Sequence, residues 1–283
     1  MEIYLAGGFN GNMSPFWRGY IAGMDSGLSE QECYERGRHT FLKGEPCGAH
    51  PFKVSDLSIL ETFFYARKNE QIQRLLQRPR KFLLDSGAFT FMSNSKVTCD
   101  WDEYTEEYAA FINRYDVQLF FELDVDSVIG IKEVERLRVK LERLTNKQSI
   151  PVFHLSRGKD YFIRMCEEYP YVAFGGIITD GVKTATLEKY FPWFINTAHR
   201  NKAKIHGLGY TSIAGLYKYH FDSVDSTAWL YGNKGGFAYQ FNHRTGELKQ
   251  TQVPQGMKMK SRAVAFNNYS EWVRFSKYAR EHL

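Results

Sequence analysis

Residues 82–87, with the sequence FLLDSG, hold the pattern that decides the fold: a short apolar run followed at once by an aspartate. Similar short runs recur along the chain and alternate with longer amphipathic segments. The predicted strands are 3–6, 82–84, 117–123, 150–153, 172–174, 205–208 and 221–224. They often lack strict polar alternation, which is typical of strands buried on both faces.

The segments between these runs have helical spacing. The predicted helices are 55–78, 101–114, 131–145, 159–168, 184–200 and 211–219, with a closing helix at 268–283. In the first of them, Ser55 is a candidate cap before apolar residues Leu57, Leu60, Phe63 and Phe64. Strand–helix alternation over the whole length predicts an α/β fold, a (β/α)₈ TIM-type barrel, with its eighth strand near 237–241. A doubly wound open sheet is the alternative.

Length and composition agree with one large domain. The 283 residues, of which 43% are hydrophobic, suit a single barrel over 1–283, with an irregular insertion at about 9–54 and a basic segment at about 237–283. The net charge of +5 is a mild basic bias that does not by itself identify a nucleic-acid partner. No membrane span or signal peptide is predicted, so we expect a cytoplasmic protein, in a bacterial host if the gene belongs to a phage.

The four cysteines have wide and irregular spacing. Cys33, Cys47, Cys99 and Cys166 form no CxxC or CxC pair, so we predict free thiols and no structural zinc site. This interpretation agrees with a reducing compartment.

Polar residues and glycines follow the predicted strands, where a parallel barrel places its active site. In chain order they are Asp85, Asp124 with Asp126, His154, Gly175-Gly176, Gly207-Leu208-Gly209 and Asp225. A single aspartate here often caps the next helix, a lone histidine is often a core residue, and a glycine can serve a tight turn. The recurrence on successive strand ends favours a functional site, because an unpaired buried carboxylate is costly.

Two carboxylates across a barrel mouth suit chemistry at a glycosidic bond. One can attack the anomeric carbon while the other transfers a proton to or from the leaving group. Asp85 and Asp225 are the candidates for these two roles. Glycine-lined walls would admit a flat group, and a planar leaving group on a sugar is a nucleobase.

These motifs resemble the tRNA-guanine transglycosylase superfamily, and most closely its phage and bacterial relatives that place 7-deazaguanine bases in DNA. Residues 85–90, DSGAFT, resemble the family's D-S-G-G-F-Q, with departures at Ala88 and Thr90. Residues 222–226, DSVDS, resemble its D-x-F-D-C/S motif. Gly175-Gly176-Ile177 and Gly207-Leu208-Gly209 are similar to its G-G-L and G-V-G motifs. The resemblance covers about residues 80–236.

The resemblance implies a base exchange in which Asp225 is the nucleophile and Asp85 the acid/base. Asp124, with Asp126 as the second choice, is implied to recognise the base. The remaining residues expected to bind substrate are Ser86, Gly87, His154, Gly175, Gly176, Ile177, Gly207, Gly209 and Asp222. No cofactor is implied.

The family's zinc-binding CxCxxC pattern is absent, so the subdomain that carries it is expected to be missing. This favours DNA over tRNA as the polymer, with a free 7-deazaguanine base, such as preQ0, as the second substrate. The predicted nucleic-acid-binding strip consists of Lys234, Arg244, Lys249, Lys258, Lys260 and Arg262, with an ordinary solvated surface as the alternative. Three other functions stay open: the same exchange on tRNA, a barrel glycoside hydrolase, and a non-catalytic nucleic-acid-binding protein.

Overall fold

The computed structural model describes residues 1–87, 99–177, 184–230, 237–252 and 261–283. Eight parallel strands form one sheet, in which consecutive strands pair and the eighth pairs with the first. They are β1 Glu2–Ala6, β2 Ser58–Thr62, β3 Lys81–Asp85, β4 Leu119–Phe120, β5 Val152–Phe153, β6 Tyr171–Phe174, β7 Lys204–Gly207 and β8 Ser223–Ser226.

The two ends of this sheet also meet. A parallel bridge joins Phe121, directly after β4, to Ile150, two residues before β5. The backbone N–H of Ile150 donates to the carbonyl of Phe120 over 2.8 Å. The sheet therefore closes on itself, and the predicted (β/α)₈ class is confirmed.

Helices follow the strands and cover the outside of the barrel. Those before β4 are α1 Ser14–Asp25, α2 Glu30–Leu42, α3 Phe63–Ala66, α4 Glu70–Leu75 and α5 Trp101–Arg114. Those after it are α6 Asp126–Ile129, α7 Ile131–Thr145, α8 Lys159–Glu168, α9 Thr184–Leu187, α10 Phe191–Arg200, α11 Ile213–Leu216 and α12 Ser261–His282. Short 3₁₀ turns lie at Gly11–Met13, Val54–Asp56 and Leu155–Arg157.

Alternate residues along the strands belong to two different apolar clusters. The cluster inside the barrel contains Tyr4, Ala6, Leu60, Leu83, Phe121, Ile150, Val152 and Ala173. The residues between them, such as Ile3, Leu5 and Leu84, belong to the larger cluster between sheet and helices. Because side chains alternate along a strand, each inward-facing residue can be identified by counting from these positions.

The eighth strand of the barrel lies at a different place from the one predicted. Residues 58–62, expected to be helical, form β2, and the chain enters α3 at the very next residue. The predicted strand at 237–241 is instead part of an antiparallel hairpin outside the barrel, formed by β9 Phe237–Asn242 and β10 Glu247–Gln252.

The insertion at 9–54 is more regular than expected, because it contains α1 and α2. The second of these begins with a reciprocal capping box between Ser29 and Glu32. The closing helix α12 also begins earlier than predicted, at Ser261, and packs against β1, α2 and β9. Within the part of the chain that the structure describes, no helix has the length and apolarity needed to cross a membrane.

Candidate active site

Asp85 and Asp225 both point into the barrel at the carboxyl ends of their strands. Asp85 ends β3, two residues after the inward-facing Leu83. Val224 of β8 faces the outer cluster, so the neighbouring Ser223 and Asp225 face inward. The strand order places β1 and β2 between these two carboxylates.

The carboxyl group of Asp85 is poised to exchange protons near neutral pH. Burial raises its pKa to about 7, and the negative charges of Asp124 and Asp225 act in the same direction. Hydrogen bonds from the backbone N–H groups of Ser86 and Gly87 oppose this rise. Since Asp124 and Asp225 affect the same group, the three carboxylates share one electrostatic site.

A tight turn after β3 supports Asp85. Gly87 has φ +76°, and a Cβ atom at this position would lie 2.6 Å from Cβ of Phe64. Ser86 is fully buried, and its carbonyl accepts a 2.6 Å hydrogen bond from the hydroxyl of Tyr104. Glycine at position 87 thus has a structural reason that is independent of any substrate.

Asp225 is held by two hydrogen bonds to one of its oxygens. Its Oδ1 lies 3.2 Å from Nε2 of His206 and 2.5 Å from the backbone N of Gly209. Among the described residues no hydrogen bond reaches Oδ2. The arrangement fixes the carboxylate and leaves its second oxygen available to a substrate.

His206 belongs to a chain of hydrogen bonds inside the barrel, and its own side chain is fully buried. Its Nδ1 lies 2.5 Å from Oγ of Ser223, which lies 2.5 Å from the hydroxyl of Tyr171. When Nε2 of His206 donates to Asp225, the other ring nitrogen, Nδ1, can accept from Ser223. Ser223 then donates to His206 and accepts from Tyr171, so every member of the chain is satisfied.

A second charged group lies at the ends of β4 and β5. Nε2 of His154 is 2.7 Å from Oδ1 of Asp124, and Nε of Arg157 is 2.8 Å from Oδ2 of Asp126. Burial alone would lower the pKa of His154, but the hydrogen bond and charge of Asp124, together with Asp126, raise it to about 9. At neutral pH His154 is therefore an imidazolium paired with Asp124.

Behind this group lies the buried carboxylate of Glu122. It accepts a 2.8 Å hydrogen bond from the backbone N of Val152 and ion-pairs with Arg138 at 3.1 Å and Arg157 at 3.4 Å. Burial raises the pKa of Glu122 in spite of the two arginines. Arg157 thus connects Glu122 to Asp126 and fixes the loops from which Asp124 and His154 project.

Asp124, Asp126 and His154 also have the donor types and spacing of a metal site. Within the described ranges this is the one group whose potential ligand atoms all lie within 4.8 Å of one another. Both carboxylates already have a cationic partner, His154 for one and Arg157 for the other. The protein's own charges therefore balance this group.

Comparison with known proteins supplies no family. No family model matches the chain, and no curated protein matches it either. Among solved structures, the carboxyl transferase domain of Rhizobium etli pyruvate carboxylase, with 3-bromopyruvate, is similar over 99% of this chain at 13% identity and a TM-score of 0.46. The match covers 48% of that chain, so this chain spans about half of its length.

The structure does not bring Asp222 to this site. It precedes β8 and so lies at the opposite end of the barrel, where its Oδ2 accepts from the backbone N of Ile205 at 2.8 Å and pairs with Nε2 of His199 at 3.0 Å. The expectation that Asp222 lies with the other predicted substrate-binding residues is not met. The three-residue step of the DSVD motif spans the length of the strand, which separates its two aspartates.

The glycines of the predicted site have structural roles that sequence alone did not show. The N–H of Gly175 donates to Phe153 in the sheet, and a Cβ atom there would lie 2.6 Å from Cγ1 of Val152. Gly176, at φ +74°, and Ile177 are both buried directly after β6. Gly207 ends β7, and the N–H of Gly209 binds Asp225. Substrate contacts through these residues stay a prediction.

The predicted nucleic-acid strip is only partly described. Lys234, Lys258 and Lys260 lie outside the described residues, as do Ala88 and Thr90. Arg244 is in the turn between β9 and β10, and Lys249 of β10 pairs with Glu247 at 3.1 Å. Arg262 is exposed near the start of α12. The described members thus sit on the hairpin and on the helix that packs against it.

Sequence reasoning missed two residues that organise the site, His206 and Glu122. Both lie inside predicted strands, whereas the predicted site consists of residues that follow a strand or precede one. A charged or imidazole side chain within an apolar run is itself informative, because it must find a buried partner.

Proposed function

We propose that this protein is a base-exchange transglycosylase that replaces guanine in DNA with a 7-deazaguanine base, such as preQ0, through a covalent aspartyl intermediate. One observation carries the proposal. Two inward-facing carboxylates stand at the same end of the barrel in different surroundings: Asp225 is fixed by two donors, and burial raises the pKa of Asp85 to about 7. A nucleophile and a proton carrier require this difference.

The first half of the reaction removes guanine. Oδ2 of Asp225 attacks C1′ of the flipped nucleotide, the C1′–N9 bond breaks, and its electron pair goes to the departing guanine. Protonated Asp85 supplies the proton that neutralises this base. The product is an ester between Asp225 and the sugar, and the phosphodiester strand remains intact.

The second half reverses these steps with the new base. Asp85, now ionised, takes the proton from N9 of the incoming 7-deazaguanine. The nitrogen attacks C1′, and the bond between C1′ and Asp225 breaks, with the electron pair returning to the carboxylate. Both side chains end in their initial protonation states, so neither a redox change nor an external acid is required.

Asp124 is proposed to accept hydrogen bonds from N1–H and the 2-amino group of the base. Its pairing with His154 engages Oδ1, but a carboxylate oxygen can accept more than one hydrogen bond. The imidazolium of His154, paired with Asp124 at 2.7 Å, keeps this acceptor oriented. A base without the N1–H and 2-amino donors would leave Asp124 without partners in the mouth.

The two aspartates of the DSVD motif give a matched test. Incubation with guanine-containing DNA followed by denaturation should leave a covalent protein–DNA adduct with the wild type and with Asp222→Asn. Asp225→Asn should form no adduct and lose base exchange by a factor of at least about 10³. Exchange by Asp225→Asn at a rate close to that of the wild type would refute the assignment of the nucleophile.

A further inference from the structure

The arc of the barrel rim between the two proposed catalytic carboxylates has its own surface chemistry. In the sheet, β1 and β2 separate β8, which carries Asp225, from β3, which ends in Asp85. The register pairs Asp225 with Tyr4 of β1 and Asp85 with Thr62 of β2. The segments that follow β1 and β2 therefore form the part of the rim that lies between the two carboxylates.

These segments form a groove, which we call the rim groove. Its central concavity has a volume of about 550 Å³. Its lining comes from Asn10, Ser14 and Arg18 after β1 and from Phe64, Tyr65, Lys68, Asn69, Glu70 and Gln71 after β2. A second concavity of about 540 Å³ shares Lys68 with it and continues toward α5.

Two cations of the rim groove are available to an anion. Arg18 and Lys68 are both exposed, and among the described residues neither is within ion-pair distance of a carboxylate. By contrast, Arg67 next to them is paired with Glu107. Glu70 also lines the groove, but it is the first residue of α4, where the helix N-terminus stabilises a negative charge.

An exposed aromatic side chain lines the groove together with the two cations. Tyr65 is 49% exposed, which is unusual for a large ring, and its ring centroid is 5.2 Å from that of Phe64. Phe64 in turn packs against Gly87 of the turn that follows Asp85. Contacts from Tyr65 to Phe64 and from Phe64 to Gly87 thus connect a base stacked on Tyr65 to the candidate active site. Phosphate-binding cations combined with an exposed stacking ring are typical of grooves that hold single-stranded nucleic acid.

We propose that the rim groove binds the DNA strand next to the nucleotide that enters the barrel, with Arg18 and Lys68 on its phosphates and Tyr65 stacked on a neighbouring base. The inference rests on the proposed function for its choice of DNA as the polymer. Its position is distinct from the basic strip on the hairpin and α12, so each surface can be altered without the other. Binding through the groove is measurable without any exchange reaction.

Charge reversal tests the groove directly. The double variant Arg18→Glu/Lys68→Glu is compared with Lys132→Glu/Arg143→Glu, which makes the same change in net charge at exposed residues of α7. Fluorescence anisotropy with a short labelled single-stranded DNA, over a range of salt concentrations, gives the Kd and its salt dependence. Circular dichroism and thermal unfolding confirm that both proteins fold.

The groove variant should bind DNA at least about tenfold more weakly than the wild type. The slope of log Kd against log salt should fall by about 0.7 for each phosphate contact that is lost. Tyr65→Ala should also weaken binding by about tenfold, and Tyr65→Phe should bind like the wild type because it keeps the ring. The control double variant should change Kd by less than about threefold.

An unchanged Kd and salt slope in the groove variant would overturn the proposal, as would an equal loss in the control variant. A groove variant that loses binding of a tRNA probe while its DNA binding is unchanged would overturn the assignment to DNA. The groove variant could lose DNA binding while the wild type is found to perform no base exchange. That combination would support the groove as a DNA-binding site and refute the proposed function. Exchange by the groove variant with an unchanged KM for DNA would refute the groove and leave the proposed function standing.

Discussion

At the scale of single residues, the protonation state of Asp85 controls the first half of the proposed reaction. Its pKa of about 7 lies well above the ordinary value for a carboxyl group, so the folded protein keeps this proton up to neutral pH. The acid form is needed for guanine to leave. The charge state of one residue should therefore be visible in the rate of adduct formation.

The rate of covalent adduct formation should be constant from about pH 5 to about pH 7 and fall about tenfold per pH unit above it. Asp85→Asn should be slow at every pH and should show no such decline, because it has no proton to lose. Single-turnover measurements with guanine-containing DNA give both profiles. A wild-type plateau that extends to about pH 9 would contradict the role of Asp85 as the acid.

The positioning of Asp225 by His206 is a second effect of one residue. His206→Leu should remove the hydrogen bond to Oδ1 of Asp225 and reduce the rate of adduct formation by about 10- to 100-fold, as expected for a hydrogen bond to a charged group. The KM for the base should change by less than about twofold, because His206 does not line the mouth. A leucine suits the apolar barrel interior.

His206→Gln is the matched variant, because its amide nitrogen can replace Nε2 as donor. It should recover much of the lost rate, whereas a purely structural role for His206 would give no such difference between two variants of equal stability. Wild-type rates in His206→Leu would remove His206 from the account.

At the scale of elements, the network around Glu122 holds β4, β5 and α7 together. Glu122→Ala should lower the free energy of unfolding by about 3–5 kcal/mol, because it leaves the buried guanidinium groups of Arg138 and Arg157 without their carboxylate. Urea unfolding measures this change. Glu133→Ala, which removes an exposed ion pair with Arg136 on the same helix, should have little effect. Equal losses in the two variants would contradict the network's role.

Most strands could be predicted from the sequence, and the two errors have different causes. In β2 the chain passes from strand to α3 at Phe63 with no glycine, proline or loop between them. The apolar residues Leu57, Leu60, Phe63 and Phe64 therefore fit one helical face as well as a strand followed by a helix. At 237–241 the alternation was real, but it belongs to a hairpin closed by the turn at residues 243–246. The hydrophobic pattern at 237–241 predicts a strand, but it does not show which other strand it pairs with.

At the scale of the whole molecule, closure of the barrel decides which predicted residues meet. Because Asp85, Asp124, His154 and Asp225 follow or end predicted strands, they were expected at the carboxyl end of the barrel. The structure brings these positions to that end. The rule that polar residues follow strands could not find His206, whose function depends on a pairing between two neighbouring strands. It also misplaced Asp222, because the direction of a strand was not considered within a four-residue motif.

The central claim is base exchange, and labelled guanine measures it most directly. The protein is incubated with radiolabelled guanine and, in separate reactions, with single-stranded DNA, duplex DNA and tRNA, and incorporation is counted after the polymer is purified. The account predicts incorporation into DNA by the wild type, none by Asp225→Asn, and competition by an unlabelled 7-deazaguanine base. Absence of incorporation into all three polymers, or incorporation that survives in Asp225→Asn, would contradict it.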